Sequence, residues 1–433
     1  MVLGSGIGVS LSSIYSDEMV NGAAIQRTCI IHTITIRNVA VFQMDFFTHP
    51  SLQLGPTKGA HMFKVAITGT GVFTPPEVIT NNELVVAFNA YADIQNAANA
   101  SGIAAGDVAE IPHSSAAFIL AASGIEQRFV LNKSGILDPH RMSPALPTRT
   151  DEDPSIMAEI GVDACLKAIK AAGIDAADID LVICAASNHE RAYPAVAVEI
   201  QHLLGAGGFA FDMNVACSSA TFGIQTAADM IKSGSIRRAL VVNPEICSAH
   251  LEWRDRDCHF IFGDVATATL LERDEDLTRP HFKVQSTRCA TQFSNNIRNN
   301  NGYLRHAHDQ MEDRRDMQFM QNGRKVFKEV LPLVSRHIAD HMADENVQAD
   351  DLKRLWLHQA NKTMNDYIGK KVLGREPEMG EQPNILQHYA NTSSAGSIIA
   401  FSQNSDDLQP GDTGIICSFG AGYSAGSVIV TRA

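Results

Sequence analysis

Three short apolar runs constrain this chain more than any other feature. D-L-V-I-C-A-A (180–186), F-D-M-N-V (211–215) and R-A-L-V-V-N (238–243) are too short for a helix and too apolar for a solvated edge. Such runs mark central strands of a sheet covered on both faces. Helical spacing fills the gaps between them. From about Ser218 to Ser233, Ala220, Ile224, Ala227, Met230 and Ile231 fall on one stripe, and Gly234 supplies a stop. Upstream, Asp153-Pro154 reads as an N-cap and first helical position, followed by Met157, Ile160, Ala164 and Ala168 until Gly173. Strands alternating with helices in this way predict an α/β fold.

The second half repeats the rhythm. A long amphipathic helix is expected over about 318–344, then a strand at L-W-L (355–357) running into H-Q-A-N. A helix follows, then a small-residue helix near 393–403, and two terminal strands (414–431) around a glycine loop. The repetition predicts an internally duplicated, layered fold with halves at 62–277 and 278–433. Residues 1–61 read differently. Arg27, Arg37 and Lys58 balance Asp17, Glu18 and Asp45, and no basic n-region precedes an apolar stretch, so a signal peptide fits poorly. This segment is expected to be an extension, either loosely ordered or translated from a mis-assigned start.

A formal charge of −13, from 35 Lys+Arg against 48 Asp+Glu, opposes general binding to nucleic acid or anionic membrane. No apolar run reaches the roughly 18–20 residues of a membrane span. Composition therefore points to a soluble, cytoplasmic protein. The eight cysteines contain no C-x-x-C pair, which argues against a disulfide framework or a zinc ribbon and predicts mostly buried thiols.

Several motifs are ambiguous alone. I-T-G-T-G-V-F-T (67–74) imitates a dinucleotide fingerprint but lacks the third glycine and runs into Pro75-Pro76, so a glycine turn is expected instead. His306-x-His308 and Cys258-His259 lack companion ligands and are expected on a solvated surface, so no metal site is assigned. Cys217 stands apart. It lies where an apolar strand turns into a small-residue helix, a place where the helix N-terminus favours a thiolate and the turn lifts the side chain into a cavity. Polar partners are offered by W-L-H-Q-A-N-K, carrying His358 and Asn361, and by H-Y-A-N-T-S-S-A-G, carrying Asn391. S-F-G-A-G is suited to aim backbone N–H groups at an oxyanion.

Read in order, V-A-I-T-G-T-G-V-F-T-P, S-G-I-E-Q-R-F (123–129), D-M-N-V-A-C-S-S (212–219), I-F-G-D (261–264), H-Q-A-N (358–361), N-T-S-S-A (391–395) and F-G-A-G (419–422) resemble the β-ketoacyl-acyl-carrier-protein synthase III branch of the thiolase superfamily. The resemblance spans Met62 to Ala433 and implies a thiolase-like duplicated layered α-β-α-β-α fold. It implies that Cys217, His358 and Asn391 are catalytic and that the amides of Cys217 and Ala421 form the oxyanion hole. Phe118, Tyr193, Asn361 and Gly420 fall at substrate-contact positions, Tyr193 where the family reaches across a homodimer interface. The implied reaction is a decarboxylating Claisen condensation of an acyl-CoA with malonyl-acyl carrier protein in fatty acid synthesis, through an acyl-cysteine. Coenzyme A and carrier thioesters are substrates, and no cofactor is needed. The pattern is most similar to members that use medium-chain acyl-CoA.

Departures accompany the matches. Phe118 and Ala122 stand where a tryptophan and an arginine commonly grip coenzyme A, and Thr363 replaces a carrier-docking arginine. Arg324, Lys325, Lys328, Lys370 and Lys371 lie in segments that match the family and are expected to form a basic patch for an acidic carrier, the alternative being an ordinary solvated helix face. A longer stretch around 89–102 and a polar region at 291–316 are placed to reshape the entrance. An alternative is non-decarboxylating condensation or acyl transfer on the same fold, with Glu190 as an extra base.

Overall fold

The computed structural model describes residues 62–275, 277–300 and 314–433, together with the backbone of three strands nearer the start of the chain. Those strands, Val9–Val20, Ala23–Ile36 and Val39–Asp45, form an antiparallel meander within a separate compact unit, Met1–His61. His306 and His308 lie outside the described residues. Met62–Ala433 forms the second unit.

In that unit the apolar runs become β1 (Val65–Phe73), β2 (Leu181–Ala185), β3 (Phe209–Met213), β4 (Arg238–Ile246) and β5 (Asp264–Arg273). The later part supplies β6 (Phe282–Ser294), β7 (Leu352–Leu357), β8 (Thr413–Gly420) and β9 (Gly422–Arg432). They join in the order β7-β8-β9-β6-β1-β5-β4-β2-β3. The duplication is visible in strand direction. β2 runs parallel to β4, which is antiparallel to β5, which is antiparallel to β1. β7, β8, β9 and β6 repeat that sequence of directions. The halves join where Phe282, Lys283 and Val284 pair with Ile67, Ala66 and Val65, and residue 277 falls in the connection between β5 and β6.

Strand alternation generates the layers, because successive side chains point to opposite faces. Leu181, Ile183 and Ala185 face a central core with the small-residue helix Ser219–Lys232 and the helix Gly396–Gln403. Val182, Cys184 and Ala186 face an outer core with the helices Ile156–Ala172 and Val196–Leu204. In the second half Ile416 and Val428 face the central core, whereas Ile415 and Ile429 face the helices Gly323–Asp344 and Lys362–Leu373. The result is helix, sheet, helix, sheet, helix. In chain order, with a helix Asn81–Ala98 as α1 and Ala116–Ser123 as α2, these six become α3 (156–172), α4 (196–204), α5 (219–232), α6 (323–344), α7 (362–373) and α8 (396–403). α1 and α2 pack in a cap with Trp253 and Phe260.

Five expectations need correction. F-D-M-N-V is not a central strand: β3 ends the sheet order with Phe209 exposed, because among the described residues only β2 pairs with it. T-G-T-G is not a turn: β1 continues through it because α3 crosses the strand closely. A Cβ at Gly69 would lie 2.2 Å from the Ala168 carbonyl oxygen, and one at Gly71 would lie 2.0 Å from that of Ala164. The cap of α3 is Ser155, whose hydroxyl accepts from Ala158 N at 3.2 Å; Asp153 instead closes a turn by accepting from Thr150 N. α6 begins at Gly323, capped by Asn322, because Met320–Gln321 is used as a strand against Ile297–Arg298. Cys258 and His259 are buried, with the His259 ring stacked on Phe88 at 4.5 Å, because the cap folds over them. The thiol expectation holds for Cys165, Cys184, Cys247, Cys258 and Cys417, which are all buried.

Gly71→Ala forces backbone against backbone and should destabilise the protein by about 1–3 kcal/mol or more. Chemical denaturation measures it; an unchanged midpoint would show that α3 can retreat from β1.

Candidate active site

Cys217 sits in the turn from β3 to α5. Ala216 adopts φ +48°, a 3-10 turn spans Ala216–Ser218, and α5 starts at Ser219. The second half builds the same device. Ala390 adopts φ +57°, Asn391 and Thr392 follow, Ser393 adopts φ +50° in a 3-10 turn Ser393–Ala395, and α8 starts at Gly396. The left-handed region is costly for residues other than glycine and persists where surrounding structure demands it. The two turns meet: the Ser393 hydroxyl donates to Cys217 Sγ at 3.4 Å.

Each polar group is held from behind. His358 follows β7, its amide donating to the Cys417 carbonyl of β8 at 2.8 Å, and its ring packs edge-on to Phe419 with centroids 5.2 Å apart. Asn391 is fixed by I-F-G-D: its N–H donates to the Ile261 carbonyl and its carbonyl accepts from Gly263 N. Its side-chain oxygen accepts from Ser393 N at 2.8 Å, while its amide NH2 has no partner among the described residues. Asp264 steadies the segment by accepting from Ser248 and from Leu131 N. Gly420 is required by contact, since a Cβ there would lie 2.6 Å from that of Cys217.

A cavity of about 330 Å³ connects these groups. Cys217, His358, Asn391 and Gly420 line it together with Phe118 and Asn361. Much of the remaining wall is apolar, including Phe260, Phe262, Phe319 and Val326. Burial pushes the Cys217 thiol up to about 11. The Ser393 hydrogen bond opposes this, the Glu245 charge adds to it, and the backbone N–H groups of Cys217 and Ala421 oppose it. These two amides bracket the sulfur as an oxyanion hole would. Burial also pushes His358 down to about 4, against a hydrogen bond with the Ser393 backbone. His358 is therefore a neutral hydrogen-bonding imidazole at neutral pH. Its Nδ1 is buried without a partner among the described residues.

The other expected residues separate into groups. Phe118 and Ala122 line the cavity. Asn361 also caps α7, accepting from Thr363 N and Met364 N and donating to the Ala122 carbonyl, so its amide is already engaged. Tyr193 is 80% exposed and does not line the cavity. Glu190 does not line it either, and accepts from Met157 N in the first turn of α3. Arg324, Lys325 and Lys328 are exposed on the turn of α6 whose Val326 and Phe327 form the cavity wall, and carry no ion pair among the described residues. Lys370 and Lys371 sit at the other end of α7, about 9 Å along the axis from cavity-lining Met364. Lys370 pairs with Glu376, and Lys371 lies over the Tyr367 ring.

Sequence reasoning missed Arg256, Glu245 and Ser393. Arg256 lies over the Phe118 ring at 4.2 Å, but W-R-D-R-D-C carries no signal that singles it out. Glu245 is 1% exposed on β4 and accepts from Ser187 N, Ser187 Oγ, Ser394 N and Ser394 Oγ. Burial raises it to about 7 against those four hydrogen bonds. An acidic residue inside a predicted core strand was the available clue. The cluster of Cys184, His189 and Asp212 has metal-ligand proximity. However, both Asp212 oxygens are occupied as acceptors from Val196 N and Ala197 N at the start of α4.

Comparison with known proteins supplies the family. A family profile described as 3-oxoacyl-[acyl-carrier-protein] synthase III matches residues 211–292, and its C-terminal counterpart matches 342–432. The β-ketodecanoyl-[acyl-carrier-protein] synthase of Pseudomonas aeruginosa is 53% identical over 347 residues, covering 80% of this chain and 99% of that protein. The chain belongs to the β-ketoacyl-acyl-carrier-protein synthase III family. A synthase III of Granulibacter bethesdensis is 29% identical over 376 residues, covering 85% of this chain and 99% of the relative. The crystal structure of the Aquifex aeolicus synthase III superposes with a TM-score of 0.66 at 22% identity, over 85% of this chain and 99% of that one. Family members are acyl-transferring condensing enzymes, and the shared fold is the thiolase-like one expected from sequence. No helix among the described residues is long and apolar enough to cross a membrane.

The buried histidines fix an acid limb of stability. Burial pushes His250, His259, His337, His341 and His358 down to about 4, from an ordinary value near 6.5. Between those values the unfolded chain binds more of their protons than the folded one, so they make stability rise with increasing pH and drop as pH is lowered. Glu245 and Asp264, raised by burial to about 7 and about 6, work in the opposite direction but are outnumbered. Denaturation midpoints should therefore decline from pH 6.5 to 4.5; a rise would contradict the histidine environments described.

Proposed function

We propose that the protein condenses a medium-chain acyl-CoA with malonyl-acyl carrier protein, releasing CO₂ and a 3-oxoacyl-carrier product for fatty acid synthesis. The observation that carries this is the convergence of Cys217, His358 and Asn391 on one cavity, in a chain 53% identical to a β-ketodecanoyl synthase. Cys217 sulfur attacks the acyl carbonyl while the amides of Cys217 and Ala421 hold the oxyanion, and coenzyme A leaves as its thiol. Malonyl thioester then loses CO₂. The enolate oxygen takes hydrogen bonds from the Asn391 amide and from the single N–H of neutral His358, which turns to it from the Ser393 backbone. Its carbon attacks the acyl-cysteine, and the Cys217 sulfur leaves. Thioester chemistry alone completes the cycle, so no cofactor is required.

Phe118 with Arg256 forms a flat cationic and aromatic rim suited to the coenzyme A nucleotide. Asn361 and Gly420 border the thioester path. Arg324, Lys325 and Lys328, without an ion pair among the described residues, offer charge beside the cavity wall for an acidic carrier, with Lys370 and Lys371 as an outlying pair. β3 ends the sheet order; its own Phe209 and Val198 and Leu203 of α4 are exposed, with Tyr193 just before α4. This exposed edge supports a homodimer formed by pairing two copies of it, with Tyr193 entering the partner's acyl pocket. A cytoplasmic location fits these substrates.

The test is product and CO₂ formation from octanoyl-CoA and malonyl-carrier. Cys217→Ser should lose the acyl-enzyme seen by intact mass, and His358→Ala should slow condensation by at least about a hundredfold while sparing acylation more. Product formed without malonate would favour the non-decarboxylating route.

A further inference from the structure

Ser393 has a conformation and a contact that the condensing machinery described above leaves unused. Among the described residues five non-glycine positions have positive φ, and three of them, Ala216, Ala390 and Ser393, border Cys217 or Asn391. Such conformations concentrate where function demands them. At Ser393 the left-handed backbone brings the hydroxyl to Cys217 Sγ, 176 residues away in sequence. Three anchors fix it there. Asn391 Oδ1 accepts from its N–H, and its neighbour Ser394 is bound to buried Glu245 through both N–H and hydroxyl, the latter at 2.5 Å. Ser393 itself is 2% exposed, so water competes little for the bond.

The sulfur needs such a donor. The site is buried, the carboxyl of Glu245 disfavours a nearby negative charge, and His358 is neutral. Among the described residues, the two backbone amides and this hydroxyl are the groups that favour the thiolate. Both amides are required by the substrate oxyanion during the same step, which leaves Ser393 as the donor available to sulfur throughout.

We propose that Ser393 is a catalytic residue whose hydroxyl stabilises the Cys217 thiolate, both when it attacks the acyl thioester and when it departs after carbon–carbon bond formation. The serine keeps its own proton. In acyl transfer the Cys217 thiol proton ends on the departing coenzyme A, the Cys217 S–C bond forms, and the S–C bond of the thioester breaks. The role rests on Cys217 being the nucleophile, and its test does not depend on substrate.

Ser393→Ala and Ser393→Gly are compared in the full chain by alkylation of Cys217 with iodoacetamide at pH 8.5, located by peptide mass. Alanine is accommodated at the same φ at positions 216 and 390, and glycine removes the backbone cost altogether. Both variants should alkylate roughly three- to tenfold more slowly, the range set by one hydrogen bond to a charged group and the compensating nucleophilicity of a more basic thiol. Octanoyl-CoA acylation should fall by a similar factor. Parent-like alkylation in both variants would overturn the role. A parent-like rate in the glycine variant alone would assign the effect to backbone conformation and also overturn it. Failure of the Cys217 nucleophile itself would appear separately, as an acyl adduct persisting in Cys217→Ser.

Discussion

Glu245 reaches from β4 into the floor of the site and accepts hydrogen bonds from Ser187, at the end of β2, and from Ser394, at the start of α8. The first belongs to one half of the duplicated fold and the second to the other. The carboxyl therefore joins the two halves directly beneath the place where their strand-to-helix turns meet. Leaving any of those donors without a partner in a dry interior costs about 1–3 kcal/mol, so the carboxyl specifies a single docking of the turns.

The duplication then explains why the chemistry is shared. One turn contributes the nucleophile and its own amide, and its counterpart contributes Asn391 and Ser393. β7 and β8 add His358, Gly420 and Ala421 at their ends. Neither half holds a complete set. The burial that lets these groups act on charge also raises the Cys217 thiol and lowers His358. Low dielectric strengthens a hydrogen bond to a developing charge but penalises a charge standing alone. The site accordingly holds a neutral imidazole and an amide, groups that donate without carrying charge of their own.

Much of this was legible in the residues. Cys217, His358 and Asn391 each follow a recognisable strand or turn, and order along the chain linked them. The layered fold was legible from apolar runs and helical stripes. Three kinds of information were not. The glycines of β1 looked like a turn because sequence records a missing side chain but not the helix that requires it. Cys258-His259 looked solvated because the neighbouring charges belong to a loop whose apolar side packs under the cap. Arg256 carries no local pattern and Ser393 only that of N-T-S-S-A, which does not single it out, since what distinguishes them is a ring and a sulfur brought near by distant segments.

Alone, the sequence determined the alternation of strands and helices, the duplication and the identity of the reactive residues, because periodicity and residue chemistry are local properties. The tertiary structure decided which turns face each other, which amides bracket the sulfur and which carboxyl lies beneath them. Those facts depend on contacts between residues more than a hundred positions apart, and on burial, which no single segment specifies.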